Sequence, residues 1–166
     1  MVHAAWAFAA SPVPPAVLEK AGLTTRHRYR AQYVTVVDPY TRCKSLWTNV
    51  YMPTTRAPTE QQELLSELHA IMTNLRLGLD FAVLGGDFNM PVTRRTPSER
   101  DLQNWIAQTN LSTLSGSICT FMSPEGHSTS IDHLFLWDRS SFNPRSQSGT
   151  KMSAESRHDH SLVYTL

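Results

Sequence analysis

The stretch from Thr59 to Leu77 limits the possible folds more than any other segment of the chain. Leu64, Leu65, Leu68, Ile71, Met72 and Leu75 recur at helical spacing and form one apolar face that must be covered. Thr59 with Gln62 three residues on fits a capping box, and Gly78 supplies a C-terminal stop. Phe81–Leu84 (FAVL) follows, too short for a helix and closed by Gly85-Gly86, and reads as a fully buried strand. A one-faced helix leading into a buried strand predicts an α/β arrangement.

The remaining segments extend that alternation. Ala4–Ala10 reads as a short buried strand closed by Pro12, Pro14 and Pro15. Only Val2 and His3 precede it, so the basic start of a secretory signal is missing. Glu19 falls in a Pro-rich stretch that reads as loop or short helix. Tyr29–Val37 and Lys44–Tyr51, rich in β-branched and aromatic residues, predict an antiparallel hairpin around Asp38-Pro39. Its loop holds Tyr40 and Arg42, which face either a ligand or solvent. A second helix starts at Thr96-Pro97-Ser98-Glu99, with Thr96 as cap and Pro97 at the tolerated first position. Leu102, Trp105 and Ile106 form its inner face, and Asn110 ends it. Ile118–Met122, Ser130–Trp137 and His160–Leu166 read as three more strands, and Asp138–Arg157, polar and Ser-rich, as a mobile loop.

Bulk properties narrow the function. The 166 residues suit a single domain, and a formal net charge of +1 excludes a nucleic-acid binder working through bulk electrostatics, though not a local basic patch. Two cysteines, Cys43 and Cys119, are too few for a disulfide scaffold or a zinc ribbon, and point to a reducing, intracellular setting. No apolar run approaches the ~20 residues of a membrane span.

The chemistry-bearing residues gather at strand ends. Gly85-Gly86-Asp87-Phe88-Asn89 leaves a buried strand through two glycines, which permit a sharp turn and close approach to a ligand. Asp87 and Asn89 then present a carboxylate and an amide to one cleft: one suits Mg²⁺ or an attacking water, the other a phosphate oxygen. An ordinary Asx turn is the structural alternative. In Ser130-Ile131-Asp132-His133, strand alternation sends Asp132 and His133 to opposite faces. His158-Asp159-His160 precedes the last apolar strand and reads as a metal site, a solvated strand entry, or a histidine paired with Asp132.

Taken in order, Thr48-Asn49-Val50-Tyr51-Met52-Pro53, Leu84-Gly85-Gly86-Asp87-Phe88-Asn89, Ser130-Ile131-Asp132-His133 and His158-Asp159-His160-Ser161 resemble the endonuclease/exonuclease/phosphatase superfamily. The chain looks most like the endonuclease domain of LINE-type (non-LTR) retrotransposons, related to apurinic-apyrimidinic endonucleases. The Ile-Asp-His strand and Thr120-Phe121 support that choice. The resemblance implies a two-sheet β-sandwich flanked by helices and hydrolysis of a DNA phosphodiester with Mg²⁺, or Mn²⁺ in its place. It implies that Tyr51 and Thr120 hold the scissile phosphate. Asp87 acts at the attacking water, Asn89 positions it, and Asp132 pairs with the catalytic His160. Asp159 is the acidic residue by the metal.

Several positions depart from the family pattern. Two earlier family strands supply an asparagine and the glutamate that is the principal Mg²⁺ ligand, and before Tyr29 this chain has only Glu19. Ala4–Ala10 matches the third family strand, so the expectation is an N-terminally truncated domain lacking its first strands. Thr54 stands where the family has asparagine, and His158 where it has serine. Arg94 and Arg95 read as phosphate contacts or as a solvated pair. The expected function is an intracellular DNA endonuclease, nuclear if retroelement-derived and impaired by the missing segment. The alternatives are an inactive remnant, or a phosphoesterase acting on a lipid, an inositol phosphate or RNA.

Overall fold

A computed structural model describes residues 10–54, 58–92, 96–114, 119–123, 125–126, 128–139, 148–151 and 162–165. His158, Asp159, His160, Arg94, Arg95 and most of the Ala4–Ala10 segment lie outside them.

Six strands form the main sheet: β1 (Ala10–Pro12), β2 (Ala31–Val37), β3 (Lys44–Tyr51), β4 (Phe81–Asp87), β5 (Ser112–Thr113) and β8 (Asp132–Asp138). Their order is β1-β2-β3-β4-β8-β5. β3 and β4 run parallel, and the other neighbours are antiparallel. Parallel neighbours need a long crossover, and α2 (Pro58–Leu75) with its 3-10 extension Arg76–Gly78 makes it. α1 (Pro15–Ala21) and α3 (Pro97–Thr109) flank α2. Two small hairpins complete the described chain, β6 (Phe121–Met122) with β7 (Ser128–Thr129), and β9 (Ser148–Lys151) with β10 (Leu162–Thr165).

The core lies between the sheet and the helices. Leu46 and Val50 of β3, Ala82 and Leu84 of β4, and Phe135 and Trp137 of β8 face Leu64, Leu65, Leu68, Ile71 and Met72 of α2 and Leu102, Trp105 and Ile106 of α3 in one buried cluster. The helical stripe read from the sequence is thus core-facing.

Several elements differ from the sequence reading. α2 begins at Pro58, which places Thr59 inside the first turn, and the Gln62 amide donates to Asp101 of α3 at 2.8 Å instead of closing a box. Among the described residues the strand at the end of the sheet, Ala10–Pro12, is exposed and runs through Pro12, which is accommodated there because an edge needs no second ladder donor. The segment around Glu19 is no departure: it takes the short-helix form that the sequence left open. β4 runs three residues beyond Leu84, through both glycines to Asp87. β9 lies within the expected mobile loop, where antiparallel pairing to β10 supplies an order that the polar sequence does not announce.

Candidate functional site

The register of three adjacent strands builds the site. In the parallel pair Tyr51 lies opposite Asp87, and in the antiparallel pair Asp87 lies opposite Asp132. In-register residues share a sheet face, so Tyr51, Asp87 and Asp132 stand in one row across β3, β4 and β8. Main-chain bonds continue past each strand end. Tyr51 N–H donates to Arg30 O at 2.8 Å, Met52 N–H to Asp87 O at 2.8 Å, and Phe88 N–H to Ile131 O at 2.9 Å. The row therefore stands on rigid backbone.

Gly86 sets the spacing of that row. Its φ is +139°, and a Cβ there would lie 2.0 Å from the carbonyl oxygen of Val50. Gly85 is less constrained: its would-be Cβ lies 3.0 Å from Leu134 Cδ1, the end of a side chain that can shift. The close approach read from the sequence as one to a ligand is an approach to the neighbouring strands.

Beyond β4 the chain turns through Asn89, whose φ of +49° is left-handed. That conformation costs a non-glycine residue about 1–2 kcal/mol, least for Asn and Asp. The Asp87 carboxylate accepts from Asn89 N–H at 2.8 Å and from Asn89 Nδ2 at 3.1 Å, while Nδ2 also donates to Met52 O at 2.6 Å. A carbonyl and a carboxylate only accept, so the amide orientation follows from its partners: nitrogen inward, Oδ1 away from them. The Asx turn offered as the structural alternative is present, and it brings the Asp87 carboxylate and the Asn89 amide together.

Thr120 is fully buried, and its Oγ1 accepts from Ile131 N–H at 3.0 Å and Asp132 N–H at 2.9 Å. It pins the start of β8 and with it Asp132. His133, on the opposite face as alternation requires, is 1% exposed. Its Nε2 lies 2.7 Å from Met90 O, so Nε2 carries the donated proton. Burial pushes the His133 pKa down, against smaller upward effects from the Met90 hydrogen bond and the charge of Asp132.

The sequence reading missed Arg30. Its guanidinium lies 5.7 Å from the centre of the half-exposed Tyr51 ring, within cation–π range, and 3.7 Å from Glu60. The available signal was alternation: Arg30 and Gln32 stand out of phase with the buried Ala31 and Tyr33. Tyr40 and Arg42 belong to the β2–β3 turn at the opposite end of the sheet from the row, where Asp38 accepts Tyr40 N–H at 2.8 Å. Among the described residues no three of His, Cys, Asp and Glu converge in a way that could hold a metal ion. His160 and Asp159, expected as general base and metal-side acid, lie outside the described residues.

No protein-family model matches the chain, and no curated protein sequence does. Solved structures do match. The endonuclease domain of TRAS1, a telomere-specific non-LTR retrotransposon, superposes with a TM-score of 0.66 at 14% identity, over 94% of this chain and 68% of that one. A 3′-5′ exonuclease (NExo) from Neisseria meningitidis gives 0.66 at 14% identity, over 95% and 70%. The mannosyl-6-phosphatase Bt3783 of Bacteroides thetaiotaomicron gives 0.54 at 19% identity, over 82% and 55%. Others span less: the chain covers 52% of the beta toxin from Staphylococcus aureus. The architecture is the endonuclease/exonuclease/phosphatase fold, as the sequence resemblance implied.

Proposed function

We propose that this chain is a metal-dependent phosphodiester hydrolase, a DNA endonuclease of retroelement type. The observation that carries the reading is the row Tyr51–Asp87–Asp132 on three adjacent strands, with Asn89 bonded to Asp87 at its centre. Likeness in fold to nucleases and to a phosphatase supports hydrolysis at phosphorus as the general class.

Each side chain then has a defined task. Both amide protons of Asn89 are spent on Met52 and Asp87, so Oδ1 is the atom left to accept a hydrogen bond from the attacking water and orient it. Asp87, fixed by Asn89 N–H and Nδ2, holds the water from the other side. The Tyr51 hydroxyl donates to a non-bridging phosphate oxygen, with the Arg30 cation behind the ring adding positive potential. Thr120, buried and accepting from the Ile131 and Asp132 N–H groups, fixes the backbone of Asp132 and does not touch the phosphate. Asp132 orients His160, which takes the water's proton.

The donors present in the row are hard oxygens, the chemistry Mg²⁺ prefers, and that ion needs only one or two carboxylates beside water and substrate. Asp159 is the proposed metal-side ligand, with Mn²⁺ able to replace Mg²⁺. When bound, the ion neutralises charge on the phosphate oxygens. Acting on chromosomal DNA, the protein would work in the nucleus. Among the described residues no helix is long and apolar enough to cross a membrane.

Nicking of supercoiled plasmid with Mg²⁺, and with EDTA, tests the proposal beside Asp87→Asn and His160→Ala. Metal-dependent nicking reduced about 10²–10⁴-fold in each variant is expected. Full nicking in EDTA, or by His160→Ala, would remove metal or general base from the mechanism. The likeness to a phosphatase supports one competing reading, a phosphoesterase on smaller substrates. It predicts faster turnover of p-nitrophenyl phosphate than of its bis ester. A folded chain inert on both esters would mark an inactive remnant.

A further inference from the structure

Asn89 is held by more than its own side chain. Its neighbours Phe88 and Met90 are both buried, at 0% and 3% exposure, so the turn is anchored on either side of it. Phe88 is fixed through its N–H to Ile131 O and by rings packed around it: Phe135 at 5.1 Å, His133 at 5.9 Å and Trp105 at 6.2 Å. Met90 is fixed by the 2.7 Å bond from His133 Nε2 to its carbonyl oxygen. The donor stands on β8 one residue after Asp132, on the opposite face of the sheet. Its other nitrogen, Nδ1, is buried and makes no hydrogen bond among the described residues. The ring lies tilted on Phe135 at 5.6 Å between centroids, which fixes the direction of the Nε2–H bond.

We propose that His133 is a positioning residue of the hydrolytic centre: its Nε2–H, delivered through the sheet, holds the Met90 carbonyl and thereby keeps Asn89 in its left-handed conformation. A residue in that region of backbone space returns to commoner conformations unless its surroundings prevent it. Here the restraint on the following peptide comes from the strand that also carries Asp132. One short segment of β8 therefore aligns both halves of the site, Asp132 directly on one face and the Asp87–Asn89 pair through His133 on the other. The catalytic part of this inference rests on the proposed roles of Asp87 and Asn89; the conformational part stands on the geometry alone.

Two substitutions separate the donor from the ring's bulk. His133→Leu keeps an apolar filling and loses the donor, whereas His133→Gln places an amide N–H near the Nε2 position. In the full chain, His133→Leu is expected to lower kcat for plasmid nicking about 100-fold with KM within about threefold, as misplaced catalytic groups do, and His133→Gln to restore most of it. NMR supplies readouts that need no turnover. The ¹⁵N pattern of the His133 ring should show Nε2 protonated, and the Asn89 side-chain amide should exchange faster in His133→Leu while β3 and β8 amides keep their protection.

A ring protonated on Nδ1 alone overturns the proposal, as does a folded His133→Leu with unchanged kcat and unchanged Asn89 exchange. Equal loss of protection throughout β8 also overturns it, since the role would then be packing. If His133→Leu does not fold, His133→Gln decides: a folded Gln variant whose Asn89 exchanges freely counts against the clamp. A wild-type chain inert on DNA, yet with the expected tautomer and Asn89 protection, would overturn the nuclease reading and leave the clamp standing.

Discussion

At Gly86 the first heavy atom of any side chain would occupy space already held by the β3 backbone. A Cβ would meet Val50 O at 2.0 Å and Val50 N at 2.8 Å, and a φ of +139° adds backbone strain for an L residue. Gly86→Ala is expected to cost at least ~3 kcal/mol, combining overpacking with a disallowed backbone, read as a lower urea midpoint. A midpoint within error of wild type would show that β3 and β4 are not this close. His133 makes a pH-dependent contribution. Its folded pKa lies below the ordinary 6.5, so between the two values the unfolded chain binds more protons. Stability from this group is full above about pH 6.5 and drains away as pH falls below it. Urea midpoints at pH 7.5 and 5.5 should fall further apart for wild type than for His133→Gln. Asp38 and Asp80, held below their usual 3.8 first by backbone N–H donors, lose their contribution only in a separate, more acidic window. The sequence identified the residue types in both places. What it could not show was direction, because the glycines answer to a neighbouring strand and the histidine to a turn 43 residues earlier.

Helices behave as their end signals specify, except where another element intervenes. Thr96 Oγ1 accepts Glu99 N–H at 3.3 Å, Glu99 returns a bond to Thr96 N–H at 3.3 Å, and Asn110 closes α3 with a φ of +56°. Thr96→Ala should therefore destabilise the fold by ~1 kcal/mol, with Thr96→Ser close to neutral. A thermal shift of zero for the alanine variant would mean that α3 is held by Leu102, Trp105 and Ile106 alone. This box was legible because every partner lies within four residues. The similar pattern at Thr59 and Gln62 misleads for the opposite reason: Gln62 finds Asp101 across the helix pair, a contact 39 residues away. Strand β9 shows the same limit, since its four residues Ser148–Lys151 gain their order from β10. Local bonds can be read from a sequence, and borrowed ones cannot.

Across the whole molecule, the β3–α2–β4 crossover does most to place the candidate site, because a parallel pair brings the ends of both strands to one end of the sheet. Tyr51 and Asp87 meet there, and antiparallel β8 returns Asp132 to the same end. Alternation alone revealed the faces, while the row itself needed the strand order. On the proposed function, DNA would be met at this end of the sheet. Net charge is only +1, and among the described residues two cations are paired with carboxylates of α2: Arg26 with Glu63 at 2.6 Å and Arg30 with Glu60 at 3.7 Å. Non-specific duplex binding should therefore involve few phosphates, giving a log K against log salt slope of roughly −2 to −3 at about 0.9 per phosphate. Arg30→Ala should make that slope shallower by about one, and Glu60→Gln, by releasing Arg30, should raise affinity at low salt. Fluorescence anisotropy of a labelled duplex between low and physiological salt reads both changes. Affinity indifferent to salt would mean that phosphates are not what this end of the sheet recognises, and a smaller phosphoester would then be the better substrate.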